Sequence, residues 1–184
     1  MTRPVAKGAT AKGAAQGETT GMADDSPPAR AGVRLARLRD LDRVAALWTG
    51  ITRHHEPIDP VFRMRAGADG ELSELLGAIH RDSNSAIFVY DDAGDLPGLC
   101  IVRIDSAPPI MQEHERAEIT DLGVREDVRR RGIASALVEA AFDWIRQSGV
   151  ARVEVHVASA NAEGQAFWRA RGFGDLMDVL HKRL

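Results

Sequence analysis

One strand–helix–strand run constrains the fold of this chain more than any other feature. The segment "RAEITDLGV" has the composition of a β-strand. Apolar residues then recur at the spacing of one helix face: Ile133, Ala136, Leu137, Ala140, Ala141, Trp144 and Ile145. Gly149 is typical of a residue that ends a helix, and the following "ARVEVHVA" alternates valines with polar residues. This order predicts a crossover unit whose two strands lie in one sheet.

The rest of the chain predicts further strands and helices around that unit. "SAIFVY" and "GLCIVRID" are strands joined by the turn-rich "DDAGDLP", which indicates an antiparallel hairpin. Asp40 is the predicted N-cap of a first helix, and a second helix follows from Leu72 to Ile79. A last helix runs from Asn161 to about Arg171, and "LMDVLHKRL" is predicted to close the sheet as a final strand. The order β-α-α-β-β-β-α-β-α-β predicts an α/β fold, a mixed central sheet with helices on both faces.

Length and composition predict one globular domain behind a polar tail. The chain has 184 residues, of which 44% are hydrophobic and 28% charged, as in ordinary globular proteins. Residues 1–31 lack aromatic residues and hydrophobic periodicity, so we interpret them as a disordered tail in which Met22 is an alternative start. The domain is then expected to span residues 32–184.

Hydropathy, cysteine count and net charge also exclude several classes of protein. We expect no membrane association and a cytoplasmic location, because no apolar run reaches the length of a membrane span and the polar N-terminus has no signal-peptide core. A single cysteine, Cys100, allows no internal disulfide. The formal net charge of −3 argues against a nucleic-acid partner, since dedicated nucleic-acid binders have a basic domain.

The run "RRRG" at residues 129–132 leaves three readings open. It is a nucleic-acid patch, a solvated helix start, or the mouth of a phosphate site in which a side-chain-free glycine lets backbone amides approach an anion. It is neither a Walker A loop nor a Gly-x-Gly-x-x-Gly dinucleotide motif.

Two segments decide among these readings. "LGVREDVRRRGIASAL" resembles the acyl-CoA-binding motif of the GNAT N-acetyltransferase superfamily, with Arg129, Gly132 and Ala134 at the motif positions. "NAEGQAFWRARGF" resembles the same family's later helix, with Asn161, Phe167, Gly172 and Phe173 where the family has them. The resemblance covers about residues 33–184, and it implies a GNAT-like acyl-CoA-binding fold.

The resemblance also implies the site for acetyl-CoA. In the family, the strand before the loop and the strand after the helix splay apart, and the pantetheine arm fills the gap like an extra strand. Backbone groups near Leu122, Gly123 and Val124 would bind that arm, and Asn161 would contact it from the other side. The pyrophosphate would be held by the loop and helix start, formed by Arg129, Arg130, Arg131, Gly132, Ile133, Ala134 and Ser135.

Acetyl transfer to an amine also requires a group that takes a proton, because an ammonium has no lone pair. Glu118 matches the position of the general-base glutamate in several family members; the alternative is a strand glutamate paired with an arginine. Asp121 is the second candidate, on the opposite strand face if alternation holds, unless a β-bulge intervenes. His156 is expected to contact the acceptor or relay a proton, or else to be an ordinary exposed strand histidine.

One position departs from the family pattern. Trp168 stands where the family usually has a tyrosine that protonates the departing thiolate, and an indole N–H is too weak an acid for that role. We therefore expect Trp168 to pack beside the thioester end of the cofactor.

Two function classes remain open at this point. One is an N-acetyltransferase that acts on a primary amine, with a small molecule as the favoured acceptor, in a ternary complex with acetyl-CoA and without a metal. The other is a catalytically weak acyl-CoA-binding sensor or interaction module. Dimers are frequent in the family, so the resemblance leaves a homodimer open.

Overall fold

The structure, a computed structural model, describes residues 31–182. The predicted N-terminal tail, except for its last residue, lies outside this range. Five strands and four α-helices follow in the order β1 (Gly32–Leu35), α1 (Leu41–His55), α2 (Asp69–Arg81), β2 (Ser85–Asp92), β3 (Asp95–Ser106), β4 (Glu115–Val124), α3 (Ile133–Gln147), β5 (Val153–Val155) and α4 (Ala162–Arg169). Short 3-10 turns lie at Leu38–Asp40, Pro60–Phe62 and Glu126–Val128.

The five strands form one mixed sheet in the order β1-β2-β3-β4-β5. The first four strands pair antiparallel with their neighbours, whereas β4 and β5 are parallel and flank α3 in the chain. The predicted crossover unit and the predicted hairpin are therefore both confirmed.

Each face of the sheet carries its own apolar core, because successive strand residues point to opposite sides. On one side, the α3 face, strand residues such as Phe88, Val102 and Ile119 pack against α3 and Trp168 of α4. On the other side, the α1 face, Val89, Leu99 and Ile101 pack against α1 and α2. Helices on both faces confirm the predicted architecture.

Helix α3 follows its predicted apolar stripe closely. Ile133, Leu137, Ala141 and Ile145 are buried, and Gly149 adopts a left-handed φ of 78° just beyond the helix end. Gly98 of β3 lets this helix approach the sheet, since a Cβ there would lie 2.8 Å from Cγ2 of Ile133.

One local prediction is wrong, and another holds for position but not for hydrogen bonding. The predicted last strand is absent from the part of the chain that the structure describes, because residues 174–182 form neither strand nor helix. Their alternating pattern supplies apolar side chains, but Leu176, Val179 and Leu180 stay exposed. Asp40 is the N-cap residue of α1 as predicted, but its carboxylate accepts no hydrogen bond from the first turn of that helix and binds Arg34 and Arg43.

Candidate active site

Strands β4 and β5 separate soon after they meet. They pair only at Ala117↔Val153, Glu118↔Glu154 and Ile119↔Val155, while β4 continues to Val124. The last five residues of β4 therefore have no strand neighbour on the β5 side within the described residues. This opening, called the β4–β5 gap below, is the splay that the sequence comparison with the family predicted.

The backbone amides that face the gap follow from the alternation of β4. The amide of Arg125 donates to the carbonyl of Pro97 at 2.8 Å, so it points towards β3. Because alternate residues of a strand point their amides to the same side, the amide of Gly123 also faces β3. The amides of Leu122 and Val124 then face the gap, as expected for groups that bind an added extended chain.

The loop between β4 and α3 ends in a group of free amides. Gly132 is the residue before α3 and has a left-handed φ of 80°, and Arg130 also has a positive φ of 63°. Across residues 31–182, the N–H groups of residues 130–135 find no hydrogen-bond acceptor. Arg129 differs, since its N–H donates to the carbonyl of Glu126 at 3.2 Å. Six free N–H groups at the positive end of a 15-residue helix offer hydrogen-bond donors of the kind that bind anions at helix N-termini.

The three arginines of this loop point to different partners. Arg129 donates from Nε to the carbonyl of Val124 at 3.2 Å, and its Nη1 lies 3.5 Å from Nε2 of His54. Arg130 reaches Glu163 of α4 at 3.7 Å, and Arg131 is exposed. The run therefore does not form one continuous basic patch, which agrees with the interpretation that the amides and Gly132 matter more than the charges.

A β-bulge at Thr120 rearranges the polar side chains of β4. Ile101 pairs with Asp121 and Val102 with Ile119, so Thr120 is an extra residue without a partner on β3. The bulge places Glu118 and Asp121 on the same face of the sheet, the α1 face. Simple alternation, which would place them on opposite faces, is wrong here, and the bulge alternative is confirmed.

Glu118 is buried and has a partner for each carboxylate oxygen. Only 5% of the residue is exposed. Its Oε2 accepts from Nη2 of Arg103 at 2.7 Å, and its Oε1 lies 3.2 Å from Nδ1 of His156. Glu118 therefore has the arginine partner that the alternative interpretation, a strand glutamate paired with an arginine, predicts. It also has a histidine beside it at the point where the gap opens.

Asp121 is tied to helix α1. Its Oδ1 accepts from the indole Nε1 of Trp48 at 2.7 Å, and its Oδ2 accepts from the hydroxyl of Thr120 at 2.8 Å. On the opposite face, the thiol of Cys100 is fully buried. Burial raises the pKa of that thiol, and the charge of Asp121 adds to the effect, as is typical of a core cysteine.

The two predicted contacts on α4 lie on the other side of the gap. Asn161 is the N-cap of α4, since its Oδ1 accepts from the amide of Gly164 at 2.9 Å. Trp168 is 8% exposed and packs edge-on against Phe167 and Phe173 at ring distances of 5.1 Å. That burial accounts for a large aromatic residue at this position, and contact with the cofactor stays a prediction for both residues.

A cavity of about 490 Å³ adjoins this site on the α1 side. Helix α1 supplies one wall, from Arg43 to His54, and the end of β4 and its loop supply the other, from Val124 to Arg129. His54 of this helix therefore faces the loop. Among the described residues, no group of three or more histidine, cysteine or acidic side chains is arranged to hold a metal ion.

Sequence reasoning missed two residues of the site. Arg103 was not singled out, because its position opposite Glu118 depends on the register of β3 against β4. Trp48 lies on the inward face of α1, a position typical of a core residue, and its bond to Asp121 requires the bulge. No local signal identifies either residue.

Comparison with known proteins agrees with this geometry. The profile of the Acetyltransferase (GNAT) family matches residues 41–173, and the chain belongs to this family. The family resemblance inferred from the two motifs is thereby confirmed.

Individual relatives are acetyltransferases of different length. The chain is 29% identical over 115 residues to a mycothiol acetyltransferase of Clavibacter sepedonicus, a match that covers 62% of this chain and 35% of the relative. It is 31% identical over 129 residues to a streptothricin acetyltransferase of Streptomyces lavendulae, covering 67% of this chain and 63% of the relative. The chain thus spans less than two thirds of either relative.

Solved structures share the fold. A tetramutant of the BH1408 protein from Bacillus halodurans superposes with a TM-score of 0.74 at 22% identity, covering 83% of this chain and 99% of that one. A protein from Clostridium acetobutylicum described as a predicted acetyltransferase, solved with acetyl-CoA, gives a TM-score of 0.68 at 14% identity, covering 83% of this chain and 96% of that one. Within residues 31–182, no helix is long and apolar enough to cross a membrane.

Proposed function

We propose that this chain transfers an acetyl group from acetyl-CoA to a primary amine, with a small molecule as the acceptor, by direct transfer in a ternary complex. The observation that carries the proposal is the combination of six free amides at the start of α3 with an open gap between β4 and β5. Membership of the acetyltransferase family gives the reaction class.

The chain's own groups fit the two parts of acetyl-CoA. A pyrophosphate carries negative charge, which the free amides of residues 130–135 and the positive end of α3 would bind. A pantetheine arm is extended and has amide groups of its own, so it can add to the free edge of β4 at Leu122 and Val124. The Nδ2 of Asn161 has no acceptor in the described part of the chain and can contact the arm from α4.

The α1 face of the gap is the side on which we place the acceptor. Glu118, Asp121 and His156 lie there, and each can accept a proton or a hydrogen bond from an amine. The names of the relatives suggest the class of acceptor, because streptothricin and mycothiol acetyltransferases modify small molecules. We therefore infer a small amine rather than a protein.

Departure of the thiol does not require an acid from the tyrosine position. Trp168 fills that position with a buried indole, which cannot supply a proton. A thiol has an ordinary pKa of about 8.5, so the thiolate is a tolerable leaving group near neutral pH. The departure from the family pattern therefore affects the rate of one step and leaves the reaction class intact.

Replacing Gly132 tests the binding site directly. Nothing lies within 4 Å of the position that a Cβ of residue 132 would take, so Gly132→Glu places its carboxylate in open space beside the free amides. We expect acetyl-CoA affinity to fall at least about 100-fold, because the carboxylate occupies and repels the anion site. Isothermal titration calorimetry with acetyl-CoA measures this change.

Gly149→Glu is the matched control for that experiment. Gly149 has almost the same left-handed φ, also has open space around it, and lies at the opposite end of the same helix. Both variants should therefore lose similar stability, about 1–2 kcal/mol from the strained backbone, while only Gly132→Glu loses affinity. Equal affinities in the two variants would contradict the proposed binding site.

Turnover separates the enzyme from the alternative module. Purified protein is mixed with acetyl-CoA and a panel of primary amines that includes streptothricin, and thiol release is followed. The proposal expects at least one amine to raise thiol release well above hydrolysis. The alternative is a catalytically weak acyl-CoA-binding module, which the buried Trp168 favours; it predicts acetyl-CoA binding without any stimulation by amines.

A further inference from the structure

The geometry around Glu118 reverses the roles that the sequence suggests. We propose that His156 is the group that takes the proton from the acceptor amine through Nε2, and that Glu118 is a positioning residue that orients its imidazole. This inference rests on the proposed function and assigns the general base of that same site.

Accessibility is the first argument. A general base must come within hydrogen-bond reach of the proton that it removes. Glu118 is 5% exposed, whereas the side chain of His156 is 63% exposed and stands one residue beyond Val155, the last residue of β5 that pairs with β4. An acceptor that enters the gap from the α1 face meets His156 first.

The second argument is that both carboxylate oxygens of Glu118 already have neighbouring side chains. Nη2 of Arg103 donates to Oε2 at 2.7 Å and Nδ1 of His156 lies 3.2 Å from Oε1, so each oxygen of the buried carboxylate already faces a neighbouring side chain. Nε2 of His156, in contrast, has no hydrogen-bond partner among the described residues. An ionised carboxylate has no proton to donate, so beside Nδ1 it favours the tautomer with the proton on Nδ1 and a lone pair on Nε2.

The surrounding charges support this assignment. Arg103 is held by Asp105 as well as Glu118, which fixes the guanidinium and through it the carboxylate. The neighbouring carboxylate of Glu154 forms ion pairs with Arg116 and Arg152. The titratable and charged groups on this face of β3, of β4 and of residues 152–156 are therefore, besides His156 itself, Arg103, Asp105, Arg116, Glu118, Asp121, Arg152 and Glu154.

The proposed step conserves atoms and charge. Nε2 of His156 takes one proton from the ammonium form of the acceptor, the neutral nitrogen then forms a bond to the thioester carbon, and the carbon–sulfur bond breaks. The electron pair leaves with sulfur, a second proton passes from nitrogen to the thiolate, and the imidazolium releases its proton to water. The products are the N-acetyl amine and the free thiol, with no oxidant or metal involved.

Substitutions of His156 and Glu118 test the assignment. Each variant is assayed with the amine that gives the highest turnover in the panel above. His156→Gln should lower kcat/KM at least about 100-fold, with acetyl-CoA affinity unchanged. The loss should shrink as pH rises, because more of the free amine is already neutral. His181→Gln, a change of an exposed histidine outside the helices and strands, is the matched control and should keep wild-type kinetics.

Chemical rescue distinguishes a proton acceptor from a structural residue. Free imidazole should raise the rate of His156→Ala at least about tenfold above its rate without imidazole, because the vacated position is exposed to solvent. Glu118→Gln should lower kcat less than His156→Gln and should not respond to imidazole. Nitrogen-15 NMR of His156 should show a proton on Nδ1 in the wild type and a mixture of tautomers in Glu118→Gln.

Failure of this inference differs from failure of the proposed function. If wild-type protein binds acetyl-CoA but no amine raises thiol release, the proposed function fails. If the wild type is active and His156→Gln stays within about threefold of it, or if Glu118→Gln alone abolishes turnover, His156 is not the base and the assignment is overturned. Thermal unfolding of each variant checks that any loss is not a loss of folding.

Discussion

At the scale of single residues, Gly123 sets how closely helix α1 can approach strand β4. A Cβ at this position would overlap with Cδ1 of Ile51 and would lie 2.6 Å from its Cγ1. This contact lies between the bulge that carries Asp121 and the amide of Val124 that faces the gap. A missing side chain thus positions one wall of the site.

Gly123→Ala should therefore lower the free energy of unfolding by about 1–3 kcal/mol, because Ile51 must leave its packed position. The double variant Gly123→Ala/Ile51→Ala should recover part of that loss through a coupling energy of opposite sign. Urea denaturation measures both. Gly50→Ala on α1, where nothing lies within 4 Å, is the control and should be neutral or stabilising. Strict additivity of the two changes would contradict the contact.

At the scale of elements, one buried carboxylate connects β1 with α1. Asp40 has no solvent exposure, and it binds Nη1 of Arg34 and Nη2 of Arg43, each at 2.6 Å. It also accepts from the backbone amide of Arg37 at 2.8 Å. These bonds hold the pKa of Asp40 well below its usual range, with the hydrogen bond from Arg34 as the largest cause.

Asp40→Asn keeps the shape of the side chain and removes its charge. We expect the free energy of unfolding to fall by about 3 kcal/mol, because Arg34 and Arg43 lose a buried counter-charge. Asp42→Asn makes the same chemical change on an exposed residue of the same helix turn and should cost less than about 1 kcal/mol. Chemical denaturation at pH 7 compares the two, and equal losses would show that Asp40 is no more than a surface charge.

At the scale of the whole molecule, the same carboxylates determine how stability depends on pH. The pKa of Asp91, which also binds Arg34, is lowered as well, mainly by that hydrogen bond. A folded-state pKa below the unfolded value of about 3.9 means that the unfolded chain takes up protons first as the solution is acidified. The stabilisation is complete above about pH 4 and is lost as pH falls through the lower folded-state values.

Thermal unfolding from pH 2 to pH 7 tests this relation. The difference in Tm between wild type and Asp40→Asn should be largest near neutral pH and should narrow below about pH 4. The cause is that protonation of Asp40 removes the same charge that the substitution removes. A difference that stays constant down to pH 2 would contradict the role given to Asp40.

The sequence by itself determined the local elements and the cofactor motif. The apolar stripe of α3, Gly149 at its end and Gly132 at its start are visible in the chain, because helix periodicity and left-handed glycines depend on neighbouring residues. The same reasoning failed for residues 174–182, whose alternation satisfies a strand pattern without providing a strand to pair with.

Only the tertiary structure decided which polar groups meet. Arg103 and Glu118 lie on neighbouring strands and His156 directly follows a third, so their contact depends on the register of β3, β4 and β5. The bulge at Thr120 turns Asp121 towards Trp48, a residue 73 positions earlier in the chain. A shift of one residue in register moves every later side chain to the other face, and no local pattern encodes that shift. The sequence therefore names the residues of the site, and the packing of the sheet assigns their partners.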